Sequence, residues 1–350
     1  MSRRPSKPSE APLTRAPSRR ALLVAGVKTG LLAALPGCGD RDGKKPGATG
    51  ELLGAAPSAP ARKKVRLTYG ITSLAKIRGV FDRTLLEQGI EVEWIGPFPN
   101  HAPTLTAVAT GSADFSFGGS STPAFQAILS GAKLTIVSWT ETLPRTTSII
   151  VLPRSGIERV PDLVGKTVAV NRAGVAEFLL VAALEKYHVP RDQVKVIYLN
   201  PPDAAPAFAS GQIDAWSIWA GPRDLAEVQY GARRIFEDGK ELDRQIDFGT
   251  YLVREDYARV EADTIRKVLR AHQTELAWSN KHHAEAQALA RQISKYPQAV
   301  VDRLIAERTS SRLAFIDDEG LGKLQAGADW LAEHKVISGR LSLAEHTVRL

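Results

Sequence analysis

From Val65 to Phe236 short apolar or alternating runs keep returning between stretches of helical periodicity, and this alternation leaves few architectures open. Val65–Tyr69 reads as a strand, Ala75–Gln88 as a helix and Ile90–Trp94 as a strand of period two. Thr104–Thr110 is a helix ended by Gly111, Ala113–Phe117 a strand, Pro123–Ser130 a helix ended by Gly131, and Leu134–Trp139 a strand. After Pro153 a second set begins. Its strands are Val168–Val170, Lys195–Tyr198, Ala215–Ile218 and Arg234–Phe236, and its helices Ala176–His188, Ala204–Ser210 and Arg223–Tyr230. Repeated strand–helix alternation predicts α/β structure with mostly parallel sheets covered by helices on both faces. A further apolar segment, Thr250–Val253, opens a mainly helical tail in which Ile265–Trp278, Ala284–Tyr296 and Asp318–His334 read as amphipathic helices.

Two similar blocks with a helical tail predict two lobes. Residues 65–150 begin lobe one, 151–248 form lobe two, and 249–350 complete lobe one and carry the C-terminal helices. The chain crosses between them near Thr140–Ile150 and Phe248–Val253. Two lobes joined by two strands make a cleft that can close on a solute.

Residues 1–38 read as a targeting leader. A basic, Pro/Ser-rich stretch ends in Ser18-Arg19-Arg20, and an apolar run from Ala21 to Leu35 follows, too short and broken for a membrane span. The paired arginines resemble a twin-arginine export signal. Leu35-Pro36-Gly37-Cys38 resembles a bacterial lipobox, whose cysteine is acylated and holds the domain at a membrane. The alternative is a plain secretory leader with an incidental cysteine. Residues 39–64, rich in Gly, Pro, Ala and charge, read as a flexible linker.

The net charge of +8 invites a nucleic-acid reading that its placement excludes. Of 46 basic and 38 acidic side chains, seven and one lie in residues 1–37, leaving 39 basic against 37 acidic for the rest. A nucleic-acid-binding domain would keep a basic face once the leader is removed.

Catalysis finds little to stand on. The chain has one cysteine, Cys38, which allows no internal disulfide, zinc cage or CxxC pair. His282 and His283 are sequence neighbours, which do not share a helix face. There is no GxSxG, P-loop or GxGxxG motif. The sequence therefore predicts a non-enzyme without cofactor or metal.

Several segments carry a family resemblance. Asp162-Leu163-Val164-Gly165-Lys166-Thr167-Val168-Ala169-Val170, the helix Phe178–Lys186, and Pro202–Trp219 with its Ser210-Gly211-Gln212-Ile213-Asp214-Ala215-Trp216 core occur in that order. Gly111–Phe115, Gly119–Pro123 and Ala328–Ile337 add to them. Together they resemble periplasmic substrate-binding proteins of ABC importers, of the aliphatic-sulfonate, taurine and nitrate type, over about residues 65–340. The resemblance implies a two-lobed periplasmic-binding-protein fold of type II, a monomer, a small organic anion as ligand, and an ABC permease in the inner membrane as partner. It puts the chain in the periplasm or on the outer face of the cytoplasmic membrane. The chain departs from the pattern at Gly70–Lys76, at Ser120, where an aspartate is common, and at Ala220-Gly221-Pro222.

A sulfonate is a permanent anion with three acceptor oxygens, and helix N-termini supply donors for it. Two loops lie where strands lead into helices, at the carboxyl ends that open sheets use for ligands. Gly119-Ser120-Ser121-Thr122 offers hydroxyls, which alternatively serve only as N-caps. Arg172, Gly174 and Val175 form the facing loop, with Arg172 as a cation or as a solvated surface charge. Arg145 is a further cation near the crossing. Trp139, Thr140 and Trp219 end strands near the cleft, where an indole is either ligand wall or core; Ser73 stands in the loop after Tyr69. The other ligand readings are a nitrate-like anion, a neutral aromatic solute such as a thiamine-pyrimidine precursor, or an enzyme on the same fold.

Overall fold

A computed structural model describes residues 62–70 and 73–350. The leader, Cys38 and most of the linker lie outside the described residues. Among the described residues eleven strands run in chain order: β1 Lys63–Gly70, β2 Ile90–Phe98, β3 Phe115–Ser116, β4 Leu134–Leu143, β5 Ser148–Val151, β6 Thr167–Val170, β7 Lys195–Tyr198, β8 Ala215–Ile218, β9 Arg233–Glu237, β10 Gly249–Arg254 and β11 Ser310–Phe315. They form two sheets, ordered β11-β4-β10-β3-β1-β2 and β7-β6-β8-β5-β9. Lobe one is built on the first sheet and lobe two on the second.

The sheets are mixed rather than mostly parallel. β1 pairs parallel with β2 and β3, and β6 with β7 and β8, where helices make the crossovers. β10 is antiparallel to β3 and β4, and β5 to β8 and β9. The antiparallel pairs occur where the chain changes lobe. β4 leads through residues 144–147 into β5, and β9 returns through residues 238–248 into β10. A strand that enters from the other lobe arrives without a crossover helix and is free to run against its neighbours.

Four details differ from the sequence expectation. β1 begins at Lys63, two residues inside the stretch read as linker, because Lys63 and Lys64 pair with Ile90 and Glu91. Their side chains are exposed, so no apolar pattern announces them. The stretch Ala75–Gln88 is two helices, Leu74–Arg78 and Val80–Glu87, parted at Gly79 with φ +64°; glycine takes that left-handed conformation without steric cost. The tail carries a strand, β11, on the edge of the first sheet beside β4. The tail also visits lobe two. Helix Gln298–Glu307 packs on helix Pro222–Tyr230, with Val300 and Val301 buried among Leu225 and Val228.

The lobes share apolar packing at the back. Trp330, on helix Asp318–Glu333, meets Phe178 of lobe two edge-on at 5.4 Å between ring centroids. Beside the strap helix Gln298–Glu307 lies a buried ion network. Arg223 is fully buried and pairs with Asp224 at 2.8 Å and with Glu307; Arg234 reaches Glu227 at 2.6 Å and Glu307 at 3.3 Å. Charges removed from water in this way persist only when each finds opposite partners.

Candidate functional site

A cavity of about 740 Å³ lies between the lobes, within the range of small-molecule sites. Its walls come from the loops that leave the carboxyl ends of strands. Phe98 ends β2 and Pro99 and Asn100 follow it, Gly118–Ser120 follow β3, and Asn171 and Val175 follow β6. Pro201 and Pro202 follow β7, and Trp219, Ala220 and Pro222 follow β8. The crossings add Arg145, Thr146 and Thr147 on one side and Gln245, Asp247 and Phe248 on the other. Chain topology thus concentrates the site where strands stop and helices begin.

The expected anion seat at Ser121 and Thr122 is filled by the protein itself. Asp247 Oδ1 accepts from Ser120 Oγ at 2.6 Å, Ser121 Oγ at 3.2 Å, Thr122 N at 3.0 Å and Thr122 Oγ1 at 2.8 Å. Ser121 N donates to Phe248 O at 2.7 Å. Ser121 and Thr122 are fully buried and do not line the cavity. The start of helix Ser121–Leu129 therefore has its negative partner from the second crossing, as a helix N-terminus favours. Burial pushes the Asp247 carboxyl above the ordinary carboxylate range, against the pull of these donors.

Gly119 and Ser120 do line the cavity, and a side chain on Gly119 would collide with the ring of His101. That ring is buried, and burial lowers its pKa to about 4, so it is neutral at pH 7. His101 Nδ1 lies 2.7 Å from Ser120 O and must donate to it, which leaves Nε2 to accept from Ser116 Oγ at 2.9 Å.

The other residues expected from the sequence divide. Thr140, Val175 and Trp219 line the cavity. Gly174 is the N-cap of helix Val175–Lys186 and sits behind the wall. Ser73 caps helix Leu74–Arg78, bonded through its N–H to Gly70 O at 3.2 Å, away from the lining. Trp139 is buried against Phe248, 5.6 Å between rings, outside the lining. Residues alternate across a strand, so Thr140 beside it faces the other way. Arg172 is exposed, with its guanidinium 3.6 Å over the Tyr198 ring, and contributes nothing to the wall. An open aromatic face takes up this cation, which sequence position alone does not reveal.

The cavity's guanidinium is Arg145. Its Nε donates to Asp238 Oδ1 at 2.8 Å, and its Nη2 to Asp238 O at 3.3 Å and to Leu242 O. Its Nη1 has no hydrogen-bond partner among the described residues. Burial raises the pKa of Asp238, and the Arg145 charge opposes that rise. The hydroxyls of Thr140 and Thr147, both nearly buried, and the Asn171 amide NH2 likewise donate to no described residue. First-turn amides of helix Val175–Lys186 stand beside them, without intrahelical acceptors. The remaining wall is largely apolar, with Trp219, Pro201, Pro202, Leu225, Tyr230 and Tyr296. Sequence reasoning passed over Asp247, Asn171, Thr147 and His101. An isolated acid, amide or hydroxyl in a loop carries no periodic signal, and only the fold brings these together.

Known proteins resemble this chain in sequence and fold. Two curated relatives are each named a putative aliphatic sulfonates-binding protein. That of Bacillus subtilis is 28% identical over 272 residues, 78% of this chain and 80% of the relative. That of Escherichia coli is 27% identical over 293 residues, 83% of this chain and 90% of the relative. Among solved structures, the alkanesulfonate-binding protein of Xanthomonas axonopodis pv. citri, bound to MOPS, superposes with a TM-score of 0.76. It is 26% identical, and the match covers 83% of this chain and 100% of that one. The fold is that of the periplasmic binding proteins. The family model described as NMT1/THI5 like matches residues 74–286, more than half of the chain, and the chain belongs to that family.

Proposed function

We propose that this chain is the solute-binding component of an ABC importer and that its cargo is an aliphatic sulfonate. The observation that carries the reading is the cavity itself. One guanidinium with an unspent edge, Arg145, stands in a wall that is otherwise largely apolar. A sulfonate offers three acceptor oxygens at one end and an apolar tail at the other, which is the complement of that wall. The names of the relatives support the same ligand class.

The head group binds Arg145 Nη1, the Thr140 and Thr147 hydroxyls, the Asn171 amide and the first-turn amides at Val175. The tail lies on Trp219 and the paired prolines Pro201 and Pro202. Gly119 and Ser120 form the facing wall. Ser121 and Thr122 act through Asp247 and not on the ligand. Binding without turnover is supported by His101, whose two ring nitrogens are both spent on neighbours. The protein works as an exported monomer, anchored by a lipid on Cys38 after twin-arginine export, and delivers its ligand to a permease.

Titration calorimetry with ethanesulfonate, hexanesulfonate, nitrate and a neutral aminopyrimidine tests the reading. Sulfonates bind, and melting temperature rises with their concentration, by about 2.7 kcal/mol of stability at a hundredfold excess over Kd. Binding of the pyrimidine with no binding of either sulfonate overturns the reading.

A further inference from the structure

The part of the wall that lobe two offers to a head group rests on a strained turn. Asn171 and Val175 line the cavity from the two ends of the turn between β6 and helix Val175–Lys186. Between them Ala173 sits at a left-handed φ of +44°. A residue with a Cβ enters that region at a cost, and the surrounding contacts must hold it there. The contact on Ala173 is Glu177, whose Oε2 accepts from Ala173 N at 2.6 Å. In a capping box the acid at the third helical position reaches back to the N–H of the N-cap. Here it passes the N-cap, Gly174, and takes the residue before it. Glu177 is itself 3% exposed, and its Oε1 accepts from Tyr198 Oη at 2.9 Å and from Arg191 Nη2 at 2.5 Å. A buried carboxylate with both oxygens engaged is a fixed point from which the turn hangs. The turn in turn aims Asn171. Asn171 Oδ1 accepts from Ala176 N at 3.3 Å, so its NH2 is the end left for the cavity. Gly174 makes room for that side chain, since a Cβ there would collide with the Asn171 amide.

We propose that Glu177 is a positioning residue for ligand binding. By clamping Ala173 in its left-handed conformation it directs the Asn171 amide and the first-turn amides at the sulfonate, without lining the cavity itself. This rests on the sulfonate reading and deepens it. An amide cannot replace the acid. With its oxygen toward Arg191, glutamine sets an NH2 against the Ala173 N–H, and turned the other way it sets the NH2 against Arg191.

The test is calorimetry with hexanesulfonate on wild type, Glu177→Gln, Ala173→Gly and the double variant, with thermal melting to show that each is folded. Glu177→Gln weakens binding by about tenfold, the effect of leaving a strained residue without its clamp. Ala173→Gly binds within about twofold of wild type, because glycine takes a positive φ freely. In the double variant the clamp is no longer needed, and affinity returns to within about twofold of wild type although the Glu177 charge is still missing. A merely structural role for Glu177 leaves the double variant as weak as Glu177→Gln, and that result overturns the inference. So does wild-type affinity in Glu177→Gln. Where Glu177→Gln does not fold, Ala173→Val carries the test: a β-branched side chain resists the left-handed region with the clamp intact and weakens binding by about fivefold or more. Full affinity in Ala173→Val overturns the inference as well. No binding of hexanesulfonate by wild type removes the sulfonate reading and this inference with it.

Discussion

The side-chain amide of Asn100, in lobe one, donates to the side-chain oxygen of Asn200, in lobe two, at 2.7 Å. Each is the N-cap of a helix that opens beside the cavity, His101–Ala109 and Pro201–Ser210, and neither caps its own helix with its side chain. Both side chains forgo the usual capping bond and meet across the mouth of the cleft. A neutral, exposed hydrogen bond contributes roughly 0.5–1.5 kcal/mol. Asn100→Ala should therefore speed ligand release by about two- to tenfold and leave association nearly unchanged. Stopped-flow measurement of both rates checks this; an unaltered release rate would remove the pair as a latch.

Arg145 and Arg172 make a second contrast. Arg145→Ala should weaken sulfonate binding by at least about tenfold, the loss expected for a charged hydrogen bond. It also leaves Asp238 buried without its partner, so melting should fall with it. Arg172→Ala removes a cation that rests on Tyr198 outside the cavity and should change affinity less than twofold. Calorimetry on the two variants decides between the loops. A large loss at Arg172 with none at Arg145 would reverse the assignment.

His101 sets an acid limit on stability. Its folded pKa is lowered to about 4 by burial, against an ordinary value near 6.5. Between those values the unfolded chain binds the proton that the native site refuses. Stability is therefore fully present above pH 6.5 and falls as pH drops toward 4, by about 3 kcal/mol in total from this group. His272, lowered by burial to about 3, adds to the same trend. Melting followed from pH 7 to pH 4 should decline, and His101→Gln should flatten the decline. A profile with the same slope in that variant would show that the ring does not carry it.

Arg223 holds the strap to lobe two. Arg223→Ala takes the fully buried cation away from buried Asp224 and half-buried Glu307 and leaves them only the longer contacts to Arg234. Breaking a buried pair from one side costs about 3–5 kcal/mol. The midpoint of denaturant unfolding should fall accordingly, whereas Arg223→Ala together with Asp224→Ala and Glu307→Ala should recover part of the loss. Equal stability of the single variant and wild type would mark the network as dispensable.

Export gives the last expectation. Replacing Arg19 and Arg20 by lysine should leave precursor in the cytoplasm, and Cys38→Ala should abolish labelling by radioactive palmitate. Labelling that survives Cys38→Ala would exclude the lipid anchor.

Much of the α/β frame was legible because its signals are periodic. Strand and helix runs such as Leu134–Trp139 and Ala176–His188 bury one face or both, and their apolar spacing says so. β11 was not legible. It lies on a sheet edge and reads Ser310-Ser311-Arg312-Leu313-Ala314-Phe315, with a charge and two hydroxyls in a pattern that a tail helix would also tolerate. The site was legible as a place and not as a set of groups. The loops at Gly119 and Val175 follow from strand ends, and both line the cavity. Arg145 was legible only as a further cation near a crossing, and Asp247 comes from a crossing whose path depends on how the sheets pair. A local pattern holds no information about a carboxylate arriving from 125 positions away to meet Thr122.

The strap helix Gln298–Glu307 rides on lobe two, while β11, which follows it, is stitched to β4 in lobe one. Only Arg308 and Thr309 lie between them, and Arg308 already sits at a left-handed φ of +50°. Two residues at full stretch span about 7 Å. The chain therefore carries its own tether beside the two crossings. The strap helix also packs on helix His283–Ser294, which packs on Leu74–Arg78 of lobe one, so leash and packing together join the lobes on that side, and lengthening the leash changes that joint without touching a residue that binds.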